Sequence, residues 1–512
     1  MLWLRSLNVK PTEPPVVQGS GPSGATDTGR GRWESTTADL AAGDDPCYWP
    51  ARRVAAAVRE RRISAREYLD ALLTRIERHN ADLRLVVTVD DRARTWAWSA
   101  DQATVRREGT GPLHGVAMTV KDSLSTGGLR TTAGSADLAS YVPRADAAAV
   151  AALRRAGAVI FGKTNLAELC ADVQSSNAVF GAARNPWDPE YTPGGSSGGS
   201  AGAVAAGFSP LEFGSDIAGS IRIPAANCGV LGHKPSYGVI PMHGHIPPYH
   251  PVQPDIAVLG PVGRSVRDLE LALDITAGPS QWDSLGWRLR LPPPRVIRRV
   301  AVWPDDPYCP VDGEVRDAVH AAARLLSDAG ITVDERPPPG VGLEASHLVA
   351  RRLLAEAALT RDSPAAGPGG LGAAGADGAL GGEFAAQQYS DWVQAQTQRA
   401  RLRTRWAKFF RSYDAILLPV SASLAIRHDA RPMAERRITV NGLDRPYWDQ
   451  ISWACLTGIC YLPSTVVPVR LDSRGLPIGV AVAGPYLEDG TTLEVARILL
   501  GMLPGIGHPS LT

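Results

Sequence analysis

The sequence lacks any bias of charge: 53 Lys and Arg residues stand against 52 Asp and Glu. No global field therefore recruits nucleic acid or an anionic membrane surface. Long apolar runs are missing as well. The opening MLWLRSLNVK falls far short of the ~20 residues a spanning helix needs, and no signal-peptide core follows it. Nor are the cysteines paired. Cys47, Cys170, Cys228, Cys309, Cys455 and Cys460 show no zinc-type spacing, and Cys455 and Cys460 sit in an apolar stretch as small buried hydrophobes with reduced thiols. There is no internal repeat. These absences point to a cytoplasmic protein without a membrane or nucleic-acid partner.

What is present divides unevenly. Residues 11–45 are rich in Gly, Pro, Ser and Thr with few large apolar side chains, and residues 1–45 read as a flexible N-terminal tail that cannot bury enough surface to offset its ordering entropy. Residues 46–512 read as a single domain. Ser64 and Glu67 have capping-box spacing, followed at helical period by Tyr68, Leu69, Leu72, Leu73 and Ile76. Leu85 to Val89 reads as β-rich. Gly115 to Val120 reads as a buried strand that delivers Lys121 at its end. Asp146 caps an expected helix that Gly157 stops, and Ala158 to Phe161 returns as a strand. Ala201 to Ala206 suits a tightly packed helix and Leu211 to Phe213 a short strand. The alternation that continues to about residue 280 argues for a layered α/β sheet covered on both faces. Residues 281–440 change character, with a Gly/Ala/Pro-rich loop at 363–382, and read as a variable substrate-side region. Strands at Thr465 to Leu471 and Ile478 to Ala483, joined by a turn, and a helix from about Thr491 close the chain.

Three segments carry chemistry: Met118-Thr-Val-Lys121-Asp-Ser123, Thr192-Pro-Gly-Gly195-Ser196-Ser197-Gly-Gly-Ser200, and Gly214-Ser-Asp216-Ile217-Ala218-Gly219-Ser220-Ile221-Arg222-Ile223-Pro224. Residues 192–200 are not a P-loop, because no Gly-Lys-Ser/Thr closes the run. A serine hydroxyl is a weak nucleophile until a base removes its proton. No histidine lies in these segments, so the base is another group. A buried lysine can serve, because desolvation disfavours the ammonium form. Lys121, emerging from an apolar strand, is a residue of that kind.

Together the segments resemble the amidase signature family, which orders its lysine, bridging serine and nucleophilic serine in the same way. The intervals, 75 residues from Lys121 to Ser196 and 24 from Ser196 to Ser220, suit the family pattern. The resemblance runs from about residue 50 to 280 and resumes from about 440 to 500. It implies an α/β amidase signature fold, with a large mixed twisted β-sheet covered by helices on both faces. It also implies hydrolysis of a small-molecule carboxylic amide to acid and ammonia or amine, with no metal or organic cofactor, by a homodimer. By the same resemblance Ser220 attacks the carbonyl, Ser196 relays the proton, and a neutral Lys121 accepts it. The Gly195–Ser196 peptide is cis, and the N–H groups of Ile217, Ala218, Gly219 and Ser220 form the oxyanion hole. Ala218 stands where many relatives have a second glycine, which bears on substrate size.

Around these residues, Asp216 and Arg222 read as a structural ion pair and Ser197 as a hydrogen-bonding member of its loop. Lys163 and Lys234 read as packing or anchoring lysines. His243, His245 and His250 have a spacing that could hold a metal. The intervening Pro247 and Pro248, and the missing carboxylate or cysteine partner, argue for pocket lining instead. Cys170 and Cys228 are placed to border the pocket, and Tyr389, Trp392, Tyr447 and Trp448 to shape an apolar acyl site. Two rival activities use the same acyl-Ser220 intermediate. One is an acyltransferase or amide-forming enzyme. The other is a glutamine amidotransferase subunit that passes ammonia to a partner acting on charged transfer RNA.

Overall fold

Small and apolar residues at helical period form helices α1 (Ala51–Arg59) and α2 (Ala65–Leu83). The computed structural model describes residues 45–108, 110–246, 255–359 and 389–511. Residues 1–44 of the expected tail, the loop 363–382, Pro247, Pro248 and His250 lie outside the described residues. The capping box forms as expected: Ser64 Oγ accepts from Glu67 N at 3.0 Å, and the Glu67 carboxylate accepts from Ser64 N at 2.8 Å.

Strand β1 (Val86–Val89), helix α3 (Ala93–Val105), strand β2 (Ala117–Lys121), helix α4 (Ala148–Arg155) and strand β3 (Val159–Thr164) follow. They build a three-stranded sheet in which β3 lies between β1, antiparallel to it, and β2, parallel to it. Every residue of β2 and β3 is buried, which explains why both read as continuous apolar runs. Asp146 does not cap α4. The cap position is Ala147, while Asp146 Oδ1 accepts from Gly127 N at 2.7 Å and its other oxygen pairs with Arg154 at 3.2 Å. One residue too early to reach the first helical amides, the carboxylate ties down the preceding loop instead.

The short strands β4 (Ser176–Asn177) and β5 (Gly181–Ala182) form a small ribbon, and α5 (Gly198–Ala205) begins inside the Gly/Ser-rich run. From there the chain enters an eight-stranded sheet through β6 (Leu211–Asp216), α6 (Arg222–Cys228), β7 (Leu231–Lys234), β8 (Val258–Gly263) and α7 (Val266–Thr276). The middle region, for which the sequence indicated no strands, contributes β9 (Arg299–Val302), β10 (Thr332–Glu335) and β11 (Ala415–Pro419) to that same sheet. A separate two-stranded ribbon, β12 (Arg437–Val440) with β13 (Leu443–Pro446), precedes β14 (Ser464–Leu471) and β15 (Pro477–Ala483). The strand order is β10-β9-β11-β15-β14-β7-β8-β6. Its β10–β9 and β9–β11 pairs are parallel and the rest antiparallel, so the sheet is mixed. Helices cover both faces, with α6 on β7, β14 and β15, and α5 and α7 on β8. Strand β6 forms the edge nearest the three-stranded sheet, and β2 packs beside it. No helix among the described residues is long and apolar enough to cross a membrane.

Candidate active site

Lys121 ends β2 with no exposed surface. Its Nζ is hydrogen-bonded to Ser196 Oγ at 2.7 Å and to Ser215 Oγ, on β6, at 3.0 Å. One lysine thus joins the three-stranded sheet, the Gly/Ser-rich loop and the edge of the large sheet. The Gly195–Ser196 peptide is cis. The loop has no room for a side chain before Ser196: a Cβ on Gly195 would lie 2.6 Å from Val173 C and 2.8 Å from Gln174 N. Ser175 Oγ donates to the carbonyls of Gly194 (3.0 Å) and Ser196 (3.1 Å) and accepts from Gly198 N (2.8 Å). Ser197 bonds outward rather than within its own loop. Its Oγ donates to Ser215 O at 3.2 Å and its N–H to Ser220 O at 3.1 Å, so it clamps the loop to the strand and to the Ser220 turn.

That turn is built around Asp216. Its carboxylate accepts from Gly219 N (2.8 Å), Ile221 N (3.1 Å), Arg222 Nε (2.9 Å) and Arg222 Nη2 (2.8 Å). Arg222 in turn donates to Ala454 O (2.6 Å) and Thr457 Oγ1 (3.0 Å), so both partners of the buried pair are satisfied. Burial alone would raise the Asp216 carboxyl; the Arg222 charge and hydrogen bonds, with Lys234 nearby, bring it down to about 2. The ion-pair reading of Asp216 and Arg222 matches this geometry. The expected oxyanion set needs one correction, because the Gly219 N–H is committed to Asp216. The remaining members of that expected set are the N–H groups of Ile217, Ala218 and Ser220. Gly219 has φ +114°, and a Cβ there would lie 2.8 Å from Ile223 Cδ1 and 2.9 Å from Ala454 Cβ, so the turn requires glycine at this position.

Ser196, Ser215 and Ser220 open onto a cavity of about 990 Å³. Ile217, Met242, Ile246 and Ile275 supply apolar lining. The segment carrying Met242 and Ile246 is pinned to the residues after Lys121, with Ser125 N donating to Gly244 O (2.9 Å) and Ile246 N to Ser123 O (2.7 Å). His243 and His245 line the cavity. Among the described residues no group of three His, Cys, Asp or Glu is arranged to hold a metal. Cys170 lines the cavity, its Sγ 3.9 Å from Ser215 Oγ. Cys228 does not: it is buried behind the loop against Pro193 O, and burial pushes its thiol far up.

The aromatic set expected to shape the site is elsewhere. Tyr389 and Trp392 stack on each other, Tyr447 Oη donates to Asp172 at 2.7 Å, and none of the four, Trp448 included, lines the cavity. Trp282 lines it instead. Neither Trp282 nor Ser215 was singled out from the sequence. Ser215 could have been, since it lies inside the third segment five residues before Ser220; Trp282 had no local signal. Lys163 anchors the segment after β2, donating to Thr126 Oγ1 (2.8 Å), Thr131 Oγ1 (3.2 Å) and Leu124 O. Lys234 donates to Pro235 O at 2.8 Å.

Residues 67–493 match the family model described as Amidase. The chain belongs to the amidase signature family. Its curated relatives include a glutamyl-tRNA(Gln) amidotransferase subunit from Synechococcus sp. (strain CC9311), 34% identical, with 85% of this chain and 93% of that protein covered. The subunit of the same name from Thermus thermophilus is 32% identical, with 87% and 95% covered. Among solved structures, one described simply as an amidase is 30% identical with a TM-score of 0.77, covering 89% of this chain and 100% of that one. A 6-aminohexanoate cyclic dimer hydrolase is 26% identical with a TM-score of 0.75, covering 91% and 99%. As a member of the amidase signature family, the chain is an amidase, an enzyme that hydrolyses carbon–nitrogen amide bonds.

Proposed function

We propose that this amidase hydrolyses a small-molecule carboxylic amide through an acyl-Ser220 intermediate, with Ser196 as proton relay and Lys121 as the ultimate base. The observation that carries this reading is the buried 2.7 Å hydrogen bond between Lys121 Nζ and Ser196 Oγ, on the wall of the cavity that Ser220 also enters. The mechanism requires Lys121 as the neutral amine. Ser220 Oγ attacks the carbonyl carbon while its proton passes to Ser196 and on to Lys121. The N–H groups of Ile217, Ala218 and Ser220 face the developing oxyanion, where each donor is worth roughly 3 to 4 kcal/mol of barrier lowering. The proton returns through Ser196 to the leaving nitrogen, the C–N bond breaks, and water then releases the acid. A cavity of about 990 Å³ suits a small molecule rather than a macromolecular substrate. The six free thiols suit the cytoplasm.

The test is ammonia or amine release from aliphatic, aromatic and peptide amides by the enzyme and by Ser220→Ala. Turnover that Ser220→Ala abolishes is the expected result; turnover that survives it overturns the reading. The names of the curated relatives support a second reading, an amidotransferase subunit that releases ammonia from glutamine for a partner. Glutamine turnover that appears only when partner subunits are added would favour it. Hydroxamate formation from hydroxylamine at the expense of free acid would reveal acyl transfer.

A further inference from the structure

Past the end of α7 the chain runs as a strap across the rim of the catalytic cavity. Gly278 N donates to Val239 O at 2.9 Å, Ser280 Oγ donates to Asp283 Oδ2 at 2.7 Å, and Trp287 N donates to Asp283 O at 2.7 Å. These bonds fix a single 3₁₀ turn, Asp283–Leu285, with Trp282 at its start. Trp282 lines the cavity, yet 80% of its surface is exposed. Its neighbours Leu285 and Trp287 are also exposed but do not line the cavity. A large indole held at a cavity rim with most of its surface wet has apolar area to cover, and substrate is what enters there. Elsewhere on the lining, α4 presents the small side chains of Ala148, Ala151 and Ala152, and α7 presents the apolar Ile275.

We propose that Trp282 is a specificity-determining residue that stacks on a planar apolar group of the substrate, so that the preferred amides carry an aromatic ring. This rests on amide hydrolysis in the same cavity. Trp282 does not touch the reacting atoms; it sets which amides stay long enough to react. Because the indole is largely exposed, its replacement leaves the packed core intact.

The experiment uses three amides on the full chain: propionamide, 3-phenylpropionamide with the ring on the acyl side, and N-phenylpropionamide with the ring on the amine side. Trp282→Ala is expected to raise KM for at least one ring amide, relative to propionamide, by about 10- to 50-fold, with kcat nearly unchanged and Trp282→Phe recovering most of the loss. KM values that rise equally for all three, or for none, overturn the proposal. Calorimetric titration of the Ser220→Ala enzyme with the two ring amides reads the contact without turnover. Binding that Trp282→Ala weakens by the same factor supports the contact even if the enzyme cleaves none of the three, a result that would count against hydrolysis alone. Binding indifferent to Trp282, or no binding of either ring amide, sinks the stacking role.

Discussion

At the scale of single residues, Asp216 neutralises Arg222 and holds the amides of Gly219 and Ile221, so the turn bearing Ser220 hangs on one carboxylate. Asp216→Asn leaves a guanidinium buried without its counter-charge. The expected loss is about 3–5 kcal/mol in urea unfolding, together with most of the activity. The pH dependence has a definite sign. The Asp216 carboxyl sits at about 2 in the fold against an ordinary 3.8. Its stabilising contribution is therefore complete above about 4 and disappears as pH falls through 2. Glu212, fully buried on β6, behaves in the opposite sense. Burial raises it from 4.5 to about 7, so the stability linked to its protonated form is complete below 4.5 and lost as pH rises through 7. Urea unfolding across pH 5 to 9 should show Glu212→Gln removing about 3 kcal/mol of that decline. An unchanged pH slope in Glu212→Gln would show that Glu212 is not the group responsible. The motif residues were legible because signature chemistry is concentrated in short segments: Lys121, Ser196 and Ser220 come from three of them, and the Asp216–Arg222 pair lies within one. The commitment of Gly219 to Asp216 was not, since a backbone amide's partner depends on how the turn folds.

At the scale of elements, local patterning served best where the chain caps or alternates. The capping box at Ser64, the buried strands β2 and β3, and the β14–β15 hairpin all follow their sequence cues. Ser64→Ala should lower stability by about 1 kcal/mol, read from the shift in the urea midpoint. The strands β9, β10 and β11 escaped notice because each has only four or five residues and they stand among prolines and helices. Their pairing with each other and with β15 is decided by long-range contacts. The Gly/Ser-rich loop is an element whose composition is dictated by close approach. Gly195→Ala would press a methyl against the backbone of Val173 and Gln174, which cannot yield as a side chain could. A drop of about 1–3 kcal/mol is expected, with a larger fall in kcat because Ser196 moves with the loop.

For the whole molecule, the large sheet interleaves distant parts of the chain, while β2 and β3 belong to a second, smaller sheet. The candidate site lies where β2 meets the edge strand β6. Lys121 comes from one sheet, Ser215 and Asp216 from the other, and Ser196 from the loop between them. The α/β class and the mixed sheet were readable from alternation and from the resemblance of the motifs. The cavity wall was not, because the strap bearing Trp282 and the segment bearing Met242 and Ile246 reach the site only through tertiary packing. In the proposed mechanism Lys121, acting through Ser196, activates Ser220. Its most direct test is the rate and position of labelling by a fluorophosphonate, mapped by mass spectrometry on the enzyme, Lys121→Ala and Ser196→Ala. A single adduct on Ser220 is expected, formed at least about 100-fold more slowly in both variants. An adduct on another serine, or a rate on Ser220 unchanged by loss of Lys121, would contradict it.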